Sequence, residues 1–309
     1  MLLFFILGIT TGGFIPLQTS INSQLRNRVK TPFLSSLISF LVGTVFLIIL
    51  SLLTGSGIPL MNGSLSALPW WGYLGGIIGM ICLTINIFLF PILGSVQTVI
   101  IPMVGQILMS VVIDNFGWFY AKTSPLSLTK LLGIILVIAG IMITIALPSI
   151  LSKKSNTTKS TNRNQKLIWQ IIALLDGFAF SIESTINGHV GVVLKSPIYS
   201  AFLTFLIASV ILIVINLIQG NFKNMKFIAS THTPWWNFLG GIIGGINIFI
   251  NAFLVPQIGI GLATILGLLG QIIISLVIDN WGFLGAEINR LQITGILTII
   301  LGIVAIELI

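Results

Sequence analysis

The sequence predicts an all-α integral membrane protein whose ten transmembrane helices form two inverted five-helix repeats. Three observations carry that expectation. The 309 residues are 56% hydrophobic and only 6% charged, against about 25% charged in a soluble domain, so their apolar surface needs a bilayer as solvent. A long stretch is written twice: residues 69–117 match residues 234–282 without a gap at an offset of 165, with 26 of 49 pairs identical. Trp70-Trp71 answers Trp235-Trp236, Asn86 answers Asn251, Pro91 answers Pro256, Gln106 answers Gln271 and Asp114-Asn115 answers Asp279-Asn280; a shared bias toward Ile, Leu and Gly cannot place those residues in register. Each half holds five spans, an odd number, so a second half inserted in series lies upside down relative to the first.

A span needs about 20 mostly apolar residues. The stretches that qualify run over 2–21, 33–53, 70–90, 95–113, 128–148, 167–187, 198–218, 235–255, 260–278 and 291–308. The first has no basic region before it and no small-residue cleavage site after it, and reads as a retained span rather than a signal peptide. Pro91 to Gly94 reads as a tight turn between the third and fourth spans. Residues 152–166, rich in Lys, Asn, Ser and Thr, read as a basic cytoplasmic linker between a first repeat, 1–151, and a second, 167–309. The same offset matches Gly12 with Gly177, Asn22 with Asn187 and Thr31-Pro32 with Ser196-Pro197; only the last span slips by three, so that Gly133 and Gly140 meet Gly295 and Gly302. Glycines seven apart share a helix face, which predicts that the fifth and tenth spans pack together there.

The charges fix an orientation. Loops after spans one, five, seven and nine hold Arg26, Arg28, Lys30, Lys153, Lys154, Lys159, Arg163, Lys166, Lys223, Lys226 and Arg290; the opposite side holds Lys122, Lys130 and Lys195. Eleven against three places the linker in the cytoplasm and both termini outside. The net charge of +8 is therefore a topology signal and implies no nucleic-acid partner. Inverted repeats of this kind are a transporter architecture, two halves rocking about a site near the midplane. There is no phosphate-cradling Gly-Lys-Ser loop and no nucleophile with a base, so neither an enzyme nor a cofactor is implied. His189 and His232 fall on opposite sides and cannot share a metal, and Cys82 stands alone in an apolar run.

The polar residues inside the spans are the candidate site. Asp176 and Glu183 lie within the sixth span, about 13 Å and about 24 Å from Leu167 at 1.5 Å per residue. Seven residues are about two turns, so both share a face, which Asn187 continues. The matching positions in the first half are Thr11, Gln18 and Asn22. A carboxylate near the bilayer centre costs at least about 2.5 kcal/mol, which makes function the default expectation, and hydrocarbon favours its neutral form, so each is a candidate proton carrier. The structural alternative is a protonated acid bonded to a neighbouring helix. Apart from Lys130, at the start of the fifth span, no Lys or Arg lies inside a span to pair with them, so a proton or a cationic substrate is the expected partner. Gln106 and Gln271, with Asn86, Asn247 and Asn251, either line a cavity or join helices by hydrogen bonds. Asp114 and Asp279 read as helix stops. Trp70, Trp71, Trp235 and Trp236 read as interfacial anchors rather than a cation cage.

The tandem five-helix halves, the Trp-Trp opening the third span, Gly105-Gln106 in the fourth and the Asp114-x-x-Gly117 after it resemble the YdcZ-like family of the drug/metabolite transporter superfamily. The resemblance covers both halves and implies a plasma (inner) membrane transporter in a bacterium, working as a monomer or homodimer in the lipid bilayer on a small-molecule substrate. Small multidrug transporters of that superfamily exchange protons for cationic drugs on a glutamate of their first helix. Glu183 or Asp176, in the first helix of the second half, is similar in place; Gln18 and Thr11 depart from that pattern in the first. The resulting expectation is a secondary transporter exporting a cationic or amphipathic solute against protons. Glu183, Asp176, Gln18, Asn22, Asn187, Gln106 and Gln271 are expected to form its binding site. The rivals are an uptake carrier for a metabolite and a non-transporting membrane scaffold.

Overall fold

The computed structural model describes residues 2–57, 64–143, 163–230, 233–278 and 290–307. Asp279, Asn280, Glu287, His232 and the linker residues 152–162 lie outside the described residues. The long helices are α1 (Leu2–Val29), α2 (Pro32–Leu53), α3 (Leu74–Phe116), α4 (Leu128–Ile141), α5 (Arg163–Val193) and α6 (Pro197–Ile218). After the short α7 (Lys226–Ser230) come α8 (Leu239–Ile258), α9 (Ile260–Ile278) and α10 (Arg290–Glu307). No strand occurs among the described residues.

Local chemistry sets the junctions, and does so twice. Lys30 (φ 62°) and Lys195 (φ 53°) end α1 and α5 in the left-handed conformation. Thr31 and Ser196 then cap α2 and α6 by accepting from the backbone N–H groups of Leu34 and Tyr199, and a proline follows each cap at the first helical position. α1 and α5 have 28 and 31 residues, about 42 and 46 Å at 1.5 Å per residue. Both exceed a hydrocarbon core of about 30 Å, so each is long enough to project beyond it, and the last turn of α1 carries Arg26 and Arg28.

The third and fourth spans differ from expectation in one respect. The turn foreseen at Pro91 to Gly94 is absent as a separate loop: the helical pattern of α3 runs through both spans. The chain nonetheless reverses there. Gly75, Gly79 and Cys82 meet Asn187, Glu183 and Asp176 in turn, so residue numbers on α5 fall as those on α3 rise; Pro102 and Gln106 meet Gly177 and Ser181, so they rise again. Pro91 lies within the reversal, where its missing N–H loosens the helix. The second half makes the same reversal with an open break, Gly259 at φ 82°, ψ 159°.

The two halves are related by a pseudo-two-fold axis. α2 and α6 run antiparallel, because Phe33 at the start of α2 accepts from Asn216 Nδ2 near the end of α6, at 3.1 Å. Where they cross, equivalent residues face each other: the rings of Phe40 and Phe205 stand edge to face at 4.9 Å, and the hydroxyls of Thr44 and Ser209 lie 3.4 Å apart. α4 and α10 also cross antiparallel, through the glycines the spacing singled out: a Cβ on Gly140 would meet the carbonyl of Gly295 at 2.7 Å, and one on Gly302 that of Gly133 at 2.7 Å. Antiparallel equivalent helices require an inverted repeat. The first helix of each half packs on the other half: α1 on α9 at Gly12 and Gly267, α5 on the second arm of α3 at Gly177 and Pro102.

Candidate functional site

α1 and α5, the helices that carry the polar positions, meet α8 and the first arm of α3 across glycines. A Cβ on Gly79 would strike Glu183 Oε1, and one on Gly244 would strike Gln18 Nε2; on the next turn Gly75 and Gly240 make the same room for Asn187 and Asn22. Small residues let the polar side chains lie flat between closely packed helices.

These helices enclose a narrow cleft of about 60 Å³. Its lining consists of pairs 165 residues apart, among them Gln18 with Glu183, Thr19 with Ser184, Phe40 with Phe205, Cys82 with Asn247 and Asn86 with Asn251. Asn187 is the lining residue without its mate. The cleft therefore straddles the pseudo-two-fold axis, and Glu183 faces it as a carboxylate where the mate is an amide.

Glu183 is held through a chain of contacts. Ser200 Oγ donates to the carbonyl of Asn187 at 2.6 Å, Thr204 Oγ1 donates to Asn187 Oδ1 at 2.7 Å, and the amide so oriented donates from Nδ2 to Glu183 Oε1 at 3.4 Å. That last bond is long and weak. The first half repeats the scaffold, Ser35 Oγ donating to the carbonyl of Asn22 at 2.7 Å. There, however, both amide atoms of Asn22 and the hydroxyl of Ser39 lack a hydrogen-bond partner.

Asp176 is 3% exposed and stands behind the cleft. Its Oδ2 accepts from Asn86 Nδ2 at 2.8 Å, its carbonyl receives the Cys82 thiol at 3.8 Å, and its Oδ1 lacks a partner. In the mate arrangement Asn247 Nδ2 donates to the Thr11 carbonyl at 2.8 Å, and Asn251 turns back on Asn247. Asn86 thus lines the cleft and touches the second acid.

Of the seven site residues expected from the sequence, Glu183, Gln18 and Asn187 line the cleft together. Asp176, Asn22, Gln106 and Gln271 are buried and stand outside its lining; Gln106 accepts through its backbone carbonyl from Ser181 Oγ at 2.9 Å. Sequence reasoning missed Phe40, Phe205 and Cys82 as lining residues. Identity at the offset of 165 would have pointed to the phenylalanines, while Cys82 gives no sign of its place because its mate is an asparagine. It also missed Asp114: the side chain accepts from the N–H groups of Gly261, at 2.8 Å, and Ile260, at 3.3 Å, and so caps α9 of the other half.

A family model described as "Putative inner membrane exporter, YdcZ" matches residues 3–143 and again residues 168–308. The chain belongs to the YdcZ family. Two copies of the family unit in one chain agree with the geometric repeat, and a YdcZ chain of this kind is a multi-pass membrane protein of a transporter family. No curated protein matches. The fold is similar to that of a solved crystal structure described only as that of a protein, at a TM-score of 0.68 and 14% identity, over 99% of this YdcZ chain and 96% of the other. At that identity the likeness speaks for the fold alone.

Proposed function

We propose that the chain is a secondary transporter that exports a small cationic or amphipathic organic compound across a bacterial inner membrane in exchange for protons. Glu183 holds proton and substrate in turn. The observation that supports this reading is the position of Glu183, a carboxylate on the lining of a cleft that straddles the axis about which the halves would rock, with only a 3.4 Å hydrogen bond, from Asn187, among the described residues. A group so lightly held can exchange a proton for a cation without dismantling its surroundings. When Glu183 is ionised, a cation shares the cleft with the carboxylate, the amides of Gln18, Asn187, Asn86 and Asn251, and the rings of Phe40 and Phe205. A proton arriving from the other side neutralises Glu183 and releases the cation.

Asp176, reached through Asn86, serves as the second acid. Asn22, Gln106 and Gln271 come to the site as the repeats, 1–151 and 167–309, rock on the basic linker 152–166. The charge bias supports a cytoplasmic linker and both termini outside.

The test is binding of a panel of lipophilic organic cations to the purified protein, from the acid to the alkaline side of neutrality, with Glu183→Gln beside the wild type. Binding that weakens in acid and vanishes in the variant is expected. Binding indifferent to both pH and Glu183 refutes the mechanism.

A further inference from the structure

The pseudo-two-fold axis makes each end of the molecule a copy of the other, and at one place the copies differ sharply. At the end that carries Lys122 and Lys195, Trp71 packs against His189 with ring centroids 5.0 Å apart, and Tyr120 stacks on the same imidazole at 5.0 Å and 24°. Shifting by 165 residues turns Trp71 into Trp236, Gly72 into Asn237, His189 into Gln24, and Val192-Val193 into Asn27-Arg28. Those residues, together with Pro234, line a pocket between the end of α1 and the turn that precedes α8. One backbone framework thus supports a ring stack at one end and a polar, cationic pocket at the other.

The pocket has a demand of its own. Asn237 is 2% exposed, lines the pocket, and its Oδ1 lacks a hydrogen-bond partner. A buried amide oxygen is costly to leave unpaired, so the pocket suits a ligand that brings a donor. Arg28 at the rim has the flat fork that matches phosphate oxygens. Trp236 is 48% exposed and its neighbour Trp235 71%, as rings at a membrane–water boundary are. Next to them Lys30 and Lys226 lie over the Phe227 ring at 4.4 and 5.5 Å. The charge pattern of the sequence assigns eleven of the fourteen Lys and Arg residues to this side of the membrane.

We propose that this pocket is a phospholipid headgroup site. The lipid phosphate rests on Arg28, and a hydrogen-bond donor of the headgroup, an ammonium or a hydroxyl, fills Asn237 Oδ1. A soluble phosphate compound has the same polar chemistry; the exposed tryptophans favour the lipid. The site stands independently of the transport cleft and of Glu183.

The experiment is native mass spectrometry of the full chain in detergent with phosphatidylethanolamine, phosphatidylglycerol or phosphatidylcholine of matched acyl chains. Phosphatidylcholine has the phosphate but no headgroup donor. The wild type is expected to retain the first two about fivefold better than the third, the usual yield of one hydrogen bond. Asn237→Gly, the residue that the mate turn carries as Gly72, is expected to erase that preference; Arg28→Val, taken from Val193, is expected to weaken all three. Equal retention of the three lipids by the wild type overturns the proposal without reference to any variant. So does a preference that survives Asn237→Gly, or displacement of the lipid by millimolar glycerol phosphate, which would make this a site for a soluble anion.

Discussion

Replacing Gly12 with alanine should cost far more stability than replacing Gly267, although the two glycines face each other across the α1–α9 crossing. A Cβ on Gly12 would sit on the carbonyl oxygen of Gly267, 2.5 Å from its carbon and 2.6 Å from its Cα. Backbone cannot turn aside, so the helices must part by about 1.5 Å to regain van der Waals contact. Overpacking of this kind costs about 1–3 kcal/mol, and the upper end applies where backbone is the obstacle. A Cβ on Gly267 meets nothing nearer than Gly12 Cα at 3.9 Å; alanine there gains up to about 1 kcal/mol of helix propensity. The pseudo-symmetric crossing agrees, since Pro102 occupies the position of Gly267 and Gly177 that of Gly12. Gly177→Ala should therefore behave like Gly12→Ala. Thermal unfolding followed by tryptophan fluorescence in detergent, with size-exclusion chromatography as control, measures all three variants. Equal losses for Gly12→Ala and Gly267→Ala, or a greater loss for Gly267→Ala, would refute the packing argument.

Asp114→Ala should lower the unfolding midpoint, because two N–H groups at the start of α9 lose their acceptor; the expected cost is about 1–2 kcal/mol. Asp114→Asn, which keeps an acceptor oxygen, should lose less, and a melt that does not separate the two would remove the cap from consideration. Lys195→Gly should raise the midpoint, for a stability gain of up to about 1 kcal/mol, since a left-handed residue with a side chain ends α5; an unchanged or lowered midpoint would mean that the lysine contributes as much as its backbone costs.

The offset of 165 made most of the fold legible, because it fixes both the number of spans and their inversion. It also paired Gln18 with Glu183 before any geometry was known. It could not show which unlike helices would touch. The cleft forms because α1 meets α8 and α5 meets the first arm of α3, contacts between positions that are not equivalent. Asp114 illustrates the gap. The pattern Asp-Asn-x-Gly reads as the end of its own helix, and Gly117, at φ 64°, does end it. The carboxylate, however, serves a helix that starts 146 residues later, and sequence spacing holds no trace of that. Asp176 and Glu183 share a helical face as the spacing of seven requires. Only the packing of Asn86 against Asp176 decides that one acid lines the cleft and the other stands behind it.

Cys82 offers the sharpest separation of a carrier from a static scaffold, because it is the chain's single cysteine and lies on the cleft. It is 3% exposed, with its thiol on the carbonyl of Asp176, so a small membrane-permeant maleimide should react slowly with the resting protein. A carrier must open the cleft to each side in turn. Alkylation should therefore proceed to completion over time, and a compound that occupies the cleft should slow it. Cys82→Asn supplies the unlabelled control, since Asn247 already fills the mate position and donates to the Thr11 carbonyl at 2.8 Å. Reactivity that never rises above that of the control under native conditions, yet reaches one label per chain in denaturant, would mean that the bundle stays shut. Alternating access about Glu183 would then fail, whatever the protein binds.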